Sequence, residues 1–326
     1  MKISVVLSFA LLFVFFALTQ SKNSKDKKGK DKQNGNGKQN GNGWKIGKWK
    51  KFLVQYGYAS SMNSFSPHEI KLAVTKLRIL FQFDNTTTDE DLAKFIELPR
   101  CGNKDIKEKK GKNSKRVRRY DLNPAWRKPS FTYAFEKYSS DLTVAQQHSI
   151  AAQAFQLWKN SVPELDFAHT QNVVEADIKF SFEINSHTGC AQAFDGTGPI
   201  LAHAYYPEDG RVHLDDDELF TDQTSVGMNL YTVLVHEIGH ALGLGHSFVS
   251  GAVMNPVYQG YNGVLTLHED DINGMRLLYA PTTASDPTCV DQDPSLCALY
   301  NAQGYCHPDY ADVMIETCPQ TCNLCQ

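Results

Sequence analysis

This sequence predicts an α/β or α+β domain, with a small helical unit before it and a cysteine-stapled module after it. Three observations lead there. Between residues 120 and 281, strand-like apolar alternation occurs beside three stretches of helical period, the mixture that packs helices against a sheet. Residues 68–81 and 87–95 also carry helical period. Six of the eight cysteines crowd into the last 38 residues, as in units too small for a sufficient core and held together in an oxidising compartment. A content of 41 % hydrophobic and 11 % aromatic residues excludes a wholly disordered chain. The net charge of −3 conceals a division: residues 1–119 hold 26 basic and 10 acidic side chains, net +16, and the rest hold 7 and 26, net −19.

In chain order, residues 1–20 read as a secretory signal, with Lys2 ahead of an apolar run at 3–18 that is short for a membrane span. The later run at 230–244 is interrupted by His236, Glu237 and His240, so no membrane span is expected. Residues 21–51 are rich in Lys, Gly and Asn, with QNGNG twice. They offer too few apolar groups to offset ordering entropy, and are expected to be a disordered basic segment, either a solvated linker or a polyanion-binding run. Residues 52–119 form the helical unit: Ile70, Ala73, Val74, Leu77, Leu80 and Phe81 share one helix face, and the acidic turn after Thr87 suits a helix N-terminus. Asn85-Thr86-Thr87 is a glycosylation sequon, making Asn85 an acceptor in a secreted chain. The unit ends Arg116-Val117-Arg118-Arg119, where the charge changes sign; a furin-type processing protease is expected to cut after Arg119 and leave Tyr120 as the new N-terminus.

Residues 120–281 supply strands at 131–135 and 176–184 and helices at 143–158, 230–242 and 267–279. Residues 282–288 are a linker, and 289–325 the cysteine-rich module.

The segment HEIGHALGLGH carries the chemistry. His236 and His240, four apart, lie on one helix face and reach a single Zn²⁺. Glu237 is placed to bind water rather than the metal, and Gly243 lets the chain turn so that His246 becomes the third ligand. Three neutral nitrogens leave one position open, the requirement of a catalytic zinc. The turn Ala252-Val253-Met254-Asn255-Pro256 follows in register.

HExxHxxGxxH followed by a turn at Met254 resembles the metzincins, and in detail the matrix metalloproteinases. That resemblance implies an α+β fold, a twisted, mostly parallel sheet with three helices. It also implies a zinc endopeptidase with Glu237 as general base, acting on extracellular protein substrates. Leu98-Pro99-Arg100-Cys101-Gly102-Asn103-Lys104-Asp105 resembles the family's cysteine switch, with Lys104 at its last proline position; it implies Cys101 on the zinc in a latent form and an Arg100–Asp105 pair. A Cys101–Cys190 disulfide is the alternative. The family's structural zinc would take His187, His203 and His213. Its calcium would take Asp195, Asp215, Glu218 and backbone oxygens of Gly196, Gly198 and Ile200, with Asp177 matching a ligand of a second calcium whose loop is too short here. Gly189 stands where the family has an aspartate zinc ligand; Cys190 is either its replacement or a buried thiol.

Residues 201–205 match the edge strand that pairs with substrate, residues 256–258 the pocket wall, and Thr232 the residue limiting pocket depth. The Tyr120 ammonium would pair with Asp270 or Asp271. Residues 289–325 resemble a ShK-type module, which implies the pairs Cys289–Cys325, Cys297–Cys318 and Cys306–Cys322. The module has no Lys or Arg, so a matrix or cell-surface ligand is expected rather than a channel pore. No nucleic-acid partner is expected, and the chain is read as a monomer. A non-enzymatic docking protein is the reading of a different class; the intact ligand set and Glu237 argue against it.

Overall fold

The computed structural model describes residues 41–60 (41–46 as backbone only), 66–107, 122–187, 189–279, 290–307, 310, 313–314, 317–322 and 324. The signal segment, most of the basic segment, Arg119, Tyr120, the linker, Cys289 and Cys325 lie outside these residues.

Among the described residues, three helices precede the sheet: α1 (Gly41–Gln55), α2 (Pro67–Leu80) and α3 (Asp89–Phe95). Residues 41–51, expected to be disordered, belong to α1, which corrects that boundary. The reason is an apolar stripe, Trp49, Phe52, Leu53 and Tyr56, whose spacing straddles the Lys-rich segment and packs into a core. Reciprocal capping boxes start α2 (Ser66 with Glu69) and α3 (Thr88 with Asp91). Phe52, Leu77, Leu80 and Ile96 bury together, and Phe81 meets Phe95 and Phe248 edge-on at centroid distances of 4.6 and 5.1 Å.

The sheet contains β1 (Arg100–Cys101), β2 (Ser130–Lys137), β3 (Asp166–His169), β4 (Ile178–Glu183), β5 (Ile200–Ala204) and β6 (Arg211–Asp215) in the order β1-β5-β6-β4-β2-β3. All neighbours are parallel except β5 and β6, in agreement with the mostly parallel sheet implied by the family resemblance. A two-stranded pair, β7 (Phe220–Thr221) and β8 (Met228–Asn229), precedes α5 (Leu230–Ala241). Helices α4 (Val144–Ser161), α5 and α6 (Glu269–Tyr279) are the three expected, and α4 begins with a Thr143–Gln146 capping box. Phe131, Phe155, Trp158, Phe180, Leu234 and Ile238 belong to one core in which helices and sheet meet.

The C-terminal module contributes α7 (Pro294–Ala302) and the disulfides Cys297–Cys318 and Cys306–Cys322, two of the three pairings the resemblance implies. Its Tyr300, Val313 and Met314 share the buried cluster of α1 and α2, and Gln82 Nε2 donates to Gln292 Oε1 at 3.2 Å. No described helix is long and apolar enough to cross a membrane.

Candidate metal centre

Helix α5 presents His236 and His240 from a position fixed at both ends. The Asn229 side chain accepts from Thr232 N at the first turn, and Trp126 Nε1 donates to Ala241 O at 2.8 Å at the last. Gly243, at φ +112°, then turns the chain so that His246 comes back toward the helix. His236, His240, His246 and Cys101 each place a donor atom within 4.8 Å of the others, all of them buried.

Each imidazole is oriented from behind. His236 Nδ1–H donates to Val253 O (2.8 Å), His240 Nδ1–H to Leu244 O (2.7 Å) and His246 Nδ1–H to Asp105 Oδ1 (2.9 Å), which turns the Nε2 lone pairs to a common point. The Asp271 carboxylate accepts from Val253 N, Met254 N and His268 N at 2.8–3.0 Å, and so holds the turn that holds His236. Burial, then the neighbouring His246, lowers the His236 pKa to about 3, and burial lowers that of His240, so both rings are neutral.

The donors fit zinc. Ligands at Zn–N of about 2.0–2.1 Å in a tetrahedron lie about 3.3 Å apart; His236 Nε2 and His240 Nε2 are 3.1 Å apart, and Cys101 Sγ is 3.4 Å from His240 Nε2. Beside them Glu237 is 1 % exposed, its Oε2 has no hydrogen-bond partner, and burial pushes its carboxyl up to about 8.

Cys101 is delivered by a clamp on both sides. β1 lies parallel to β5, with Arg100 N donating to Pro199 O (2.6 Å) and Gly102 N to Ala202 O (2.7 Å). On the other side Cys101 N donates to Pro256 O (2.9 Å) and Tyr258 N to Pro99 O (2.8 Å). The strand expected to be an edge for substrate, 201–205, therefore carries β1 along that edge, as does the wall at 256–258.

Behind the clamp, Arg100 Nη2 donates to Asp105 Oδ1 at 2.5 Å and its guanidinium lies 3.6 Å from the Tyr56 ring centroid. Asp105 also accepts from Tyr58 OH at 2.7 Å. Burial works against the Asp105 charge, but Arg100 and His246 outweigh it and hold the carboxyl below its usual range. Lys104, at the variant position, is exposed. Asn103, Tyr56 and Tyr58 were not singled out from the sequence. Asn103 behaves like a strand residue, its side chain bonding Ala204 N and O at 3.1 and 2.9 Å, a role without a sequence signal. A cavity of about 320 Å³ beside Glu237 is lined by Leu201, Thr232, Val233, Val257, Tyr258 and Leu265, among others.

A second cluster brings donor atoms of His187, Cys190, His203 and His213 within 4.8 Å of one another. Cys190 and Cys101 are both free thiols in separate clusters, so they do not pair with each other. Asp195, Asp215 and Glu218 also come together: Glu218 Oε1 accepts from Gly198 N (2.7 Å), Asp195 Oδ1 from Ile200 N (3.3 Å), and Asp215 Oδ2 is buried without a partner. Burial, then mutual repulsion with Asp217, Asp195 and Glu218, pushes Asp215 up to about 7. Gly196 lies in the same loop, ahead of β5. Asp177 stands apart from these groups; its oxygens accept from Lys128 Nζ (2.5 Å) and Thr132 N (2.8 Å). Asp270 accepts from Ser247 Oγ at 2.7 Å. Asn85 is exposed in a turn that Asp84 organises by accepting from Thr86 and Thr87.

Residues 125–280 match the matrixin model of peptidase family M10, and residues 288–325 match a ShK domain-like model. The chain is similar to matrix metalloproteinase-19 of Homo sapiens, 38 % identical over 238 residues (70 % of this chain, 44 % of that protein). It is 34 % identical to the hatching enzyme of Paracentrotus lividus over 252 residues (76 % and 40 %) and 34 % identical to stromelysin-1 of Mus musculus over 245 residues (72 % and 49 %). The chain thus spans less than half the length of each of these relatives.

Proposed function

Because residues 125–280 are a matrixin domain and residues 288–325 a ShK-like domain, we propose that this chain is a secreted zinc endopeptidase, made latent, that hydrolyses peptide bonds of extracellular proteins. The observation that carries the reading is the convergence of three rear-oriented imidazoles beside the buried Glu237, whose Oε2 is unpartnered.

Zn²⁺ bound by His236, His240 and His246 would supply Lewis acidity toward a scissile carbonyl and lower the pKa of water. Glu237 takes a proton from the attacking water at its carboxylate and returns it to the leaving amine, a cycle suited to a carboxyl with a raised pKa. The substrate backbone pairs with β5 once β1 has left, and its side chain after the cut bond enters the cavity beside Thr232.

Latency rests on Cys101 standing among the imidazoles with backbone hydrogen bonds on both sides. Activation follows a furin-type cut after Arg119, which frees Tyr120 to pair with Asp270 or Asp271. His187, His203 and His213 hold a structural zinc. Asp195, Asp215 and Glu218, with carbonyls of Gly196, Gly198 and Ile200, hold Ca²⁺, whose hard charge relieves their mutual repulsion. The ShK-like domain, closed by a third pair Cys289–Cys325, docks a matrix or cell-surface ligand.

Glu237→Gln tests the assignment. The purified variant should retain its metal complement and lose peptide hydrolysis by at least about 10²-fold, the usual scale for a positioned acid–base group. Hydrolysis within a few-fold of wild type would remove Glu237 from the mechanism.

A further inference from the structure

We propose that Cys190 is a metal ligand, completing with His187, His203 and His213 a three-histidine, one-thiolate zinc centre. The inference rests on reading this second cluster as a zinc site. Its new content is the identity of the fourth donor.

The geometry comes from one short turn. Cys190 N donates to His187 O at 3.3 Å, and Gly189 between them adopts φ +75°. A side chain at 189 is strained by that backbone angle, and a Cβ there would come within 2.9 Å of Arg211 Nη1. That nitrogen already donates to Gly189 O at 3.2 Å, and the Arg211 guanidinium is anchored by Asp209. A carboxylate ligand at 189 is therefore poorly accommodated here, and the turn instead aims the next residue inward. Cys190 Sγ lies 3.0 Å from His203 Nε2, and His187 Nε2 lies 2.9 Å from His213 Nδ1. His187 Nδ1–H donates to Asn185 O at 3.0 Å, which leaves its Nε2 lone pair for the cluster.

The surroundings suit a soft divalent ion. His203 and His213 are each 4 % exposed and face one another across the β5–β6 pair. Three imidazoles and a thiol offer no hard oxygen, the donor set that selects Zn²⁺ over Ca²⁺ or Mg²⁺. Cys101 lies in the other cluster and Cys297, Cys306, Cys318 and Cys322 are paired, so none of these is available to Cys190 as a disulfide partner. An ion held by all four donors ties β5, β6 and the 187–190 turn together. β5 is the strand whose Ala202 and Ala204 grip the prodomain.

The test reads the metal rather than peptidase activity. The full-length chain carrying Glu237→Gln, to prevent self-cleavage, and Cys101→Ser, to remove the other thiolate, is loaded with Co²⁺. Two ions per chain and a thiolate-to-cobalt charge-transfer band are expected. Adding Cys190→Ser should abolish the band and weaken retention of one ion at least tenfold in chelator competition. Cys190→Asp should restore retention without the band. Two bound ions and no charge-transfer band in the parent variant would overturn the proposal without needing any change at Cys190, and so would a band that survives Cys190→Ser. Because the parent is already inactive, neither result depends on the peptidase reading.

Discussion

Asp105→Asn is the sharpest test of the proposed latency. The side chain keeps its shape and loses its charge. In the closed state Arg100 is 1 % exposed and its guanidinium meets Asp105 at 2.5 Å, so the substitution leaves a buried cation without a counter-ion. Breaking one side of such a pair costs about 3–5 kcal/mol. Once the prodomain lifts away, Arg100 is in water and the same substitution costs little, so nearly all of that energy should appear in the closed–open balance. At about 1.4 kcal/mol per power of ten, the open fraction should rise by roughly 10²-fold to a few times 10³-fold. Asparagine also leaves His246 Nδ1–H a weaker acceptor than the carboxylate now 2.9 Å away. The assay is the alkylation rate of Cys101 in metal-loaded, uncut zymogen, read beside hydrolysis of a quenched peptide. An alkylation rate within twofold of wild type would refute the argument that this ion pair supports the switch.

Other perturbations follow from the same geometry. Thr232→Leu should fill part of the cavity beside Glu237 and lower kcat/KM for peptides with a large apolar residue after the cut bond by roughly 10-fold or more relative to small ones, the scale of one or two methylenes; an unchanged ratio would mean that substrate does not enter there. Asp215→Asn should change sign with calcium. Without the cation it removes one of several repelling buried carboxylates and should raise the Tm, whereas with Ca²⁺ saturating it deletes a ligand and should lower it. The same direction of Tm shift in both buffers would show that Asp215 does not bind calcium.

What could be read from the sequence was what is local. Helix α5 and its two histidines follow from a spacing of four, and the starts of α2, α3 and α4 follow from capping residues within three positions of each other. Helix α1 was hidden because its apolar stripe began inside a lysine-rich segment whose composition suggested disorder. Strand β1 is two residues long and exists because β5, about a hundred positions away, offers it hydrogen bonds; no period can announce that. The hydrogen bond from His246 to Asp105 spans 141 positions and sets the aspartate of the 98–105 segment behind an imidazole of the histidine cluster, which only the folded chain reveals. The turn at 187–190 lies between: the sequence shows the missing aspartate and the nearby cysteine, but not that φ at Gly189 aims one in place of the other.

The apolar cluster shared by the flanking regions separates two events that a single cut would seem to unite. Tyr300 and Met314 of the ShK-like domain lie in the same core as Phe52, Leu77 and Leu80 of the N-terminal helices, while β1 grips β5 at the other end. On the proposed activation route, an N-terminal unit severed after Arg119 would keep two footholds, and when one let go the other would hold it nearby at an effective concentration that favours recapture. The peptide bond can break quickly while the inhibitor departs slowly, so the lag before activity would be set by dissociation kinetics. Shaving the C-terminal module would remove one of the two footholds and shorten that lag.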